Sequence, residues 1–263
     1  MKVGWIGLGE IGAGMVVRAL AAGHEVTAFA RGAGLPKAQA AGALTSSDYK
    51  ALAAASEVLG ICVFSDAQLA DVLFEQGALA ALKPGAVLAI HTTGSPKLAQ
   101  EIGARAPDGV GVLDATFSGG PAEVEKGDLT LMVGGSVEAL ERARPVLATY
   151  CARIHHVGGL GQGQTIKLLN NLLFSANLHL ASEALRMAEQ QGFKPWEAAR
   201  IIQQCSGRSM AMGLFEREAP VEAMLGSVRP YMEKDVTTAA KSAAEAGFDL
   251  SAFASTVDFF KPR

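Results

Sequence analysis

The sequence is poor in cysteine, in aromatic residues and in clustered positive charge. Its 263 residues include three cysteines, and aromatic residues make up 6%. Cys62, Cys151 and Cys205 lie far apart, without the spacing of a metal or redox motif, so we expect reduced thiols in a cytoplasmic protein. The net charge is −3 and no Lys/Arg-rich run is present, which argues against nucleic acid or a membrane surface as a partner.

The sequence also lacks an uninterrupted apolar run of membrane-spanning length. Its most apolar long stretch, 166–180, contains Lys167, Asn170, Asn171, Asn177 and His179. This polar content favours a buried helix over a membrane span. A strand pattern begins at Val3, so we expect that no signal peptide precedes the fold.

Short apolar runs alternate with helical patterns over the first part of the chain. They predict strands at 3–6, 25–30, 58–63, 87–90, 110–113, 129–133 and 154–157, and helices that include 11–22, 66–74 and 137–149. Such alternation predicts a parallel sheet with helices on both faces.

The pattern changes after Val157. A glycine cluster at 158–163 precedes a long helix predicted over 165–191, and the remaining sequence has helical patterns. We therefore predict an α/β protein with two domains. Residues 1–162 form a Rossmann-type doubly wound sheet, and residues 163–263 form an all-α domain joined to it by the long helix.

A glycine-rich turn follows the first predicted strand. Its sequence, Gly7-Leu8-Gly9-Glu10-Ile11-Gly12, fits G-x-G-x-x-G and opens a predicted helix. The first glycine permits a tight turn, the second allows close approach of a pyrophosphate, and the third allows the helix to pack on the strand. Glycines in such a turn also serve plain packing, but the strand-turn-helix context favours a nicotinamide dinucleotide, bound at the helix N-terminus.

The end of the second predicted strand distinguishes the two nicotinamide dinucleotides. An acidic residue there would bind the ribose hydroxyls of NAD, whereas this chain has Arg31 about 20 residues after the turn. A guanidinium suits a 2′-phosphate. We therefore predict NADP as the preferred cofactor, with NAD also possible, and the alternative is an arginine that is solvated in a surface loop.

Lys167 and Asn171 interrupt an apolar helical stretch and share one helix face, since they are four residues apart. If Lys167 lines a cleft, partial desolvation lowers its pKa and makes it a usable general acid/base. The alternative is a lysine at the helix edge whose stem covers the core. The spacing alone favours neither the catalytic lysine nor the lysine at the helix edge.

Ser118-Gly119-Gly120 follows the fifth predicted strand region and offers a hydroxyl and unhindered N–H groups, which suit a carboxylate. Taken alone, the segment is better explained as a plain Gly-Pro turn.

Together these segments resemble the β-hydroxyacid dehydrogenase family over nearly the whole chain. Besides the glycine turn, four motifs carry the resemblance in order along the chain: Thr92-Thr93-Gly94-Ser95-Pro96, Asp114 to Pro121, the G-x-G-x-x-x-K-x-x-x-N pattern from Gly161 to Asn171, and Lys234-Asp235, which looks like the pair that opens a helix of the second domain. The resemblance implies a 3-hydroxy acid as the substrate, placed between the domains.

The resemblance also implies residue roles. Lys167 would be the general acid/base and Asn171 its partner. Ser118, Gly119 and Gly120 would bind the substrate carboxylate, Thr93 would contact cofactor and substrate, and Tyr231 would shape the substrate pocket. Val63, Phe64 and Lys234 would contact the cofactor, in addition to Arg31 and the glycine turn with Leu8, Glu10 and Ile11.

Two departures from the family pattern are expected to matter. Gly32 stands where NADP-dependent members usually have Thr or Ser. The second domain is also short, so a partner subunit in a homodimer or homotetramer would complete it.

An imine reductase and a catalytically inactive cofactor-binding module are the alternatives to a hydroxyacid dehydrogenase. Imine reductases usually place Asp or Tyr where Lys167 stands, and inactive relatives have lost that lysine.

Overall fold

Eight strands form one sheet in the first part of the computed structural model, which describes residues 1–29, 31–245 and 247–261. Their order across the sheet is β3-β2-β1-β4-β5-β6-β7-β8. The strands are β1 (Lys2–Ile6), β2 (Glu25–Phe29), β3 (Leu44–Ser46), β4 (Val58–Ile61), β5 (Val87–Ile90), β6 (Gly111–Ser118), β7 (Leu129–Gly135) and β8 (Cys151–Gly158). The sequence predicted a Rossmann-type sheet followed by helices, and this fold class is confirmed.

Helices connect most of the strands and lie on both faces of the sheet. They are α1 (Glu10–Ala21), α2 (Leu35–Ala40), α3 (Tyr49–Ala54), α4 (Asp66–Ala70), α5 (Pro96–Arg105), α6 (Pro121–Lys126) and α7 (Val137–Leu147). Along β5, Val87 and Ala89 pack into one core, and Leu88 and Ile90 pack into the other. This alternation shows that the strand is covered on both faces, as in doubly wound sheets.

The sheet predicted as parallel is mixed, because β7 runs antiparallel to β6. The connection between these two strands, residues 119–128, contains only the short helix α6. A parallel crossover needs about a dozen residues or more, so this short connection returns the chain in the opposite direction. The other neighbouring strands of the sheet are parallel.

Several predicted boundaries also differ. β6 continues to Ser118, well beyond the predicted end at residue 113, so most of the segment predicted to follow a strand belongs to it. The helix predicted over 66–74 is divided into α4 and a π-helical turn, Asp71–Glu75. β3 was not predicted, and position 30 of the second predicted strand lies outside the described residues.

The chain divides into two compact units, Met1–Lys167 and Leu168–Arg263. The long helix α8 (Gln162–Gln190) begins in the first and continues into the second. The second unit also contains α9 (Pro195–Ile202), α10 (Met210–Gly213), α11 (Val221–Glu245) and α12 (Ala254–Phe259). Its core includes Leu185, Phe215, Leu225 and Phe260. Across the described ranges, we find no helix with the length and apolarity required to cross a bilayer.

Candidate active site

The glycine turn between β1 and α1 has the geometry that its sequence predicts. Gly7 has φ +98°, and a Cβ on it would lie 2.1 Å from the Cys62 carbonyl oxygen. A Cβ on Gly12 would lie 2.1 Å from the Gly7 carbonyl oxygen. By contrast, a Cβ on Gly9 would meet no described atom within 4 Å. Gly9 is exposed and directly precedes α1, so there is space for a pyrophosphate beside the helix N-terminus.

A buried aromatic cluster lies next to this turn. The Trp5 indole N–H donates to the Gly7 carbonyl at 3.2 Å, and its ring stacks on His91 with 5.5 Å between centroids. His91 Nδ1 donates to the Ala115 carbonyl at 2.6 Å, so its Nε2 accepts from the Tyr150 hydroxyl at 3.1 Å. No sequence motif pointed to this cluster, because Trp5, His91 and Tyr150 are single residues that lie far apart along the chain.

The segment after β2 lies against the glycine turn. Arg31 is exposed, and the N–H of Gly34 donates to the Leu8 carbonyl at 2.7 Å. Gly32 has φ +123°, and a Cβ on it would lie 2.8 Å from that same carbonyl oxygen. A Thr or Ser side chain at this position would therefore be strained. The departure from the family pattern at Gly32 follows from this close approach.

The loops after β4 and β5 meet at the same edge of the sheet. The N–H of Val63 donates to Thr92 Oγ1 at 3.0 Å, and the N–H of Ser95 donates to Asp66 Oδ2 at 3.0 Å. Thr93, between these two ties, is half-buried, and Phe64 is 52% exposed. The structure thus brings Val63, Phe64 and Thr93 to the carboxyl edge of the parallel strands, where dinucleotides bind in such sheets.

The Ser118-Gly119-Gly120 segment extends beyond this edge. Ile90, the last residue of β5, is opposite Asp114, so residues 115–118 of β6 continue past the end of β5. Gly119 has φ +124°, and the N–H of Gly120 donates to Glu123 Oε2 at 2.8 Å. A carboxylate ligand would therefore compete with Glu123 for the N–H of Gly120.

Asp114, on β6, is hydrogen-bonded to the backbone at the start of α8. Its side chain is completely buried, and it accepts from the N–H of Gly161 at 3.0 Å and from the N–H of Gln164 at 2.7 Å. Burial raises the pKa of the Asp114 carboxyl above its ordinary value, against the opposing effect of these N–H groups. Thr116 adds a hydrogen bond to the Gly163 carbonyl at 3.0 Å.

Lys167 lies in the second turn of α8 and is half-buried. Its Nζ is 5.8 Å from the centroid of the Phe117 ring, close enough for a cation–π interaction. Phe117 directly precedes Ser118, so the ring that the amine approaches belongs to the last residues of β6 before the predicted carboxylate-binding turn.

In the second unit, Asn171, Lys234 and Asp235 form a polar cluster. Asn171 Nδ2 donates to Asp235 Oδ2 at 2.6 Å, and Lys234 Nζ is 3.3 Å from Asp235 Oδ1. Asp235 is buried, whereas Tyr231, also on α11, is 60% exposed. The expectation that Lys234-Asp235 opens a helix was wrong: α11 begins at Val221 and passes through Pro230 without a break.

Gln164 and Asp114 are the main site residues that the sequence analysis did not assign. Both lie inside motifs that were identified, and the available signals were an acidic residue in the apolar run 112–115 and a glutamine directly after the glycine cluster. No group of three His, Cys, Asp or Glu side chains in the described part of the chain is arranged to hold a metal ion.

The sheet order and the glycine turn define a dinucleotide-binding α/β protein, and the comparisons specify its family. A family model described as the NAD binding domain of 6-phosphogluconate dehydrogenase matches residues 2–158. A second, described as the NAD-binding domain of NADP-dependent 3-hydroxyisobutyrate dehydrogenase, matches residues 161–261.

Individual proteins agree with these matches. The chain is 32% identical to 2-(hydroxymethyl)glutarate dehydrogenase of Eubacterium barkeri, over 99% of this chain and 88% of that protein. The crystal structure of 3-hydroxyisobutyrate dehydrogenase from Salmonella typhimurium aligns with a TM-score of 0.88 and 26% identity, over 99% and 93% of the two chains. Psf3, in complex with NADP+, aligns with a TM-score of 0.82 and 28% identity, over 98% and 92%.

The chain therefore belongs to the β-hydroxyacid dehydrogenase family. The resemblance inferred from the five sequence motifs is confirmed. Since the family consists of NAD(P)-dependent hydroxyacid dehydrogenases, the protein is an NAD(P)-binding oxidoreductase.

Proposed function

We propose that the protein catalyses reversible hydride transfer between NADP and a small 3-hydroxy acid, with Lys167 as the general acid/base. The observation that carries this proposal is the half-buried amine of Lys167 on α8, 5.8 Å from the ring of Phe117, the residue before Ser118. The substrates for which these relatives are named support the substrate class, since 3-hydroxyisobutyrate and 2-(hydroxymethyl)glutarate both have a hydroxyl on the carbon β to a carboxylate.

Each residue of the proposed site has a separate task. The bound nicotinamide supplies the hydride acceptor or donor. The Ser118 hydroxyl and the N–H groups of the following glycines bind the substrate carboxylate, which fixes the orientation of the carbinol carbon. In the oxidation direction Lys167 takes the hydroxyl proton, and in the reduction direction it returns that proton. Asn171, whose amide is held by Asp235, binds the reacting oxygen.

The two alternatives predict different chemistry at Lys167. An imine reductase would not need the lysine, and an inactive cofactor-binding module would not turn over any substrate. No observation on the described residues favours either of them. The presence of Lys167 together with Asn171 favours the dehydrogenase.

A substrate panel tests the proposal. We expect oxidation of at least one 3-hydroxy acid with NADP+, and much slower oxidation of its 2-hydroxy isomer, because the carboxylate turn fixes the distance to the reacting carbon. The rate is followed by the absorbance of the reduced nicotinamide. Reduction of cyclic imines without hydroxy acid turnover would support the imine reductase instead. Cofactor binding without any turnover would support the inactive module.

The second part of the proposal is the preference for NADP over NAD, and it predicts the effect of Arg31→Ala. We expect the variant to raise the KM for NADPH by about 10- to 100-fold, the value of a charge-assisted hydrogen bond to a phosphate. The KM for NADH should change little, because NADH lacks the 2′-phosphate. The structure of Psf3 with NADP+ supports the choice of cofactor.

Lys37→Ala is the matched control for Arg31→Ala. Lys37 is a nearby exposed cation on α2, and it already pairs with Glu125 at 2.9 Å. The control should keep the KM values of the wild type. Higher kcat/KM with NADH than with NADPH in the wild type, or equal losses with both cofactors in Arg31→Ala, would contradict the preference.

The expected homodimer or homotetramer and the cytoplasmic location stay predictions. A row of exposed apolar side chains on α8 supports self-association, since Leu173, Leu180 and Met187 are seven residues apart and 56%, 64% and 66% exposed. Spacing of seven residues is typical of helices that pack against another helix.

A further inference from the structure

We propose that Gln164 is a positioning residue that holds the Thr92–Gly94 loop against the start of α8 and so sets the position of Lys167 relative to that loop. The inference rests on the proposed function of Lys167 and Thr93. It concerns a residue that makes no predicted contact with substrate or cofactor.

The oxygen and the nitrogen of the Gln164 side-chain amide both form hydrogen bonds with the Thr92–Gly94 loop. Its Oε1 accepts from the N–H of Gly94 at 2.9 Å, and its Nε2 donates to the Thr92 carbonyl at 2.7 Å. The amide can have only this orientation, because a flipped amide would direct NH2 at an N–H and oxygen at a carbonyl. Gln164 therefore holds the backbone on both sides of Thr93.

The backbone of Gln164 is fixed independently. Its N–H donates to Asp114 Oδ2 at 2.7 Å, and the whole residue is 1% exposed. The helix start is thus tied to β6 by the main chain and to the loop after β5 by the side chain. Val63, whose N–H donates to Thr92 Oγ1 at 3.0 Å, extends the same network to β4.

Gln164 and Lys167 lie on the same helix, so the hydrogen bonds of Gln164 to the loop also fix where Lys167 lies relative to that loop. The two residues are three positions apart in α8, so they share a helix face within one turn. A helical turn is rigid over this length, so release of the loop from the Gln164 side chain changes the distance between Thr93 and Lys167. Proton transfer and hydride transfer depend on the distances between the catalytic groups, the substrate and the cofactor. A misplacement of about 1 Å can lower the rate by up to about 100-fold.

Gln164→Met tests the inference, because methionine keeps the length and volume of the side chain but cannot form either hydrogen bond. We expect kcat to fall by about 10- to 100-fold, with the dissociation constant for NADPH within about threefold of the wild type. Hydrogen exchange should also become faster in the peptide that covers residues 90–97, since the Gly94 N–H loses its acceptor.

Gln100→Met is the matched control. Gln100 is an exposed glutamine on α5 whose Nε2 donates to the Leu160 carbonyl at 3.3 Å, so it contacts the same glycine cluster but not the loop. We expect its kcat and the exchange of residues 90–97 to match the wild type. A fall in kcat equal to that of Gln164→Met would overturn the assignment.

Gln164→Glu adds a readout that a purely structural role would not change. A glutamate keeps the acceptor for Gly94 but can donate to the Thr92 carbonyl only when protonated, and burial favours its protonated form. The ratio of kcat for Gln164→Glu to kcat for the wild type should therefore rise as the pH falls from 8 to 5.5. A ratio that stays well below one and does not change with pH would overturn the inference, whereas a ratio near one at every pH would support it, because a glutamic acid that burial keeps protonated retains both hydrogen bonds.

The exchange measurement separates this inference from the proposed function. If the wild type oxidises no 3-hydroxy acid, the proposed function fails, yet faster exchange at residues 90–97 in Gln164→Met would still support the tie between loop and helix. If the wild type is active and Gln164→Met has wild-type kcat or wild-type exchange, the positioning role is overturned while the proposed function stands.

Discussion

Replacement of Lys167 by alanine is expected to lower kcat by about 10²- to 10⁴-fold, the usual contribution of a general acid/base. The amine is the group to which the proposed mechanism assigns the proton of the reacting hydroxyl. The glycine turn that we propose binds the cofactor is built from β1 and α1, so NADPH should still bind to the variant. Steady-state kinetics together with titration of NADPH fluorescence measure the two effects separately.

The Lys167→Arg variant shows whether Lys167 acts by transferring a proton or only by its positive charge. Arginine keeps the positive charge near Phe117, but its guanidinium does not lose a proton in the accessible pH range. We expect it to be nearly as inactive as the alanine variant. A kcat within tenfold of the wild type in either variant, with NADPH still bound, would show that another group moves the proton.

Lys83→Ala is the matched control for Lys167. Lys83 is exposed and precedes β5, so it lies toward the amino end of the strand, away from Thr92 and Thr93. The same loss of a lysine side chain should leave kcat unchanged there. A comparable fall in kcat would mean that the effect at Lys167 is not specific to its position.

Acidification from pH 6.5 to 4 is expected to lower the free energy of unfolding by up to about 3 kcal/mol through His91. Burial lowers the pKa of His91 to about 4, partly offset by its hydrogen bond to the Ala115 carbonyl. Between pH 4 and 6.5 the unfolded chain therefore binds a proton that the folded chain does not. This contribution to stability is complete above pH 6.5 and is lost as the pH falls toward 4.

His91→Asn isolates this contribution. Asparagine can donate to the Ala115 carbonyl but does not titrate, so its free energy of unfolding should depend less on pH between 4 and 6.5. Urea denaturation at several pH values measures both proteins, and other titrating groups such as Asp114 contribute equally to each. The variant should be less stable at pH 7, because it loses the ring that stacks on Trp5.

Tyr150→Phe serves as the control for His91→Asn. It removes the hydroxyl that donates to His91 Nε2 but retains the titrating imidazole. We expect it to keep a loss of stability on acidification in the same pH range. Identical pH dependence of the wild type and His91→Asn would contradict the assignment to His91.

Local features of the fold were predictable because their causes are local. The turn from Gly7 to Gly12 needs residues without a Cβ at fixed spacing, and the long apolar helix has a period that the sequence displays. The direction of β7 was not predictable in the same way. It depends on the short 119–128 connection, and the sequence pattern of a strand does not reveal the direction of its neighbour.

The sequence by itself determined the family, the cofactor class and the choice of Lys167 as the residue of greatest interest, because these depend on residue types at short spacing along the chain. Only the tertiary structure decided how these segments are held. Gln164 reaches Thr92 and Gly94 across 72 and 70 residues of sequence, and Asp114 across 50. Hydrogen bonds of this kind are set by the packing of strands and helices, which no local pattern encodes.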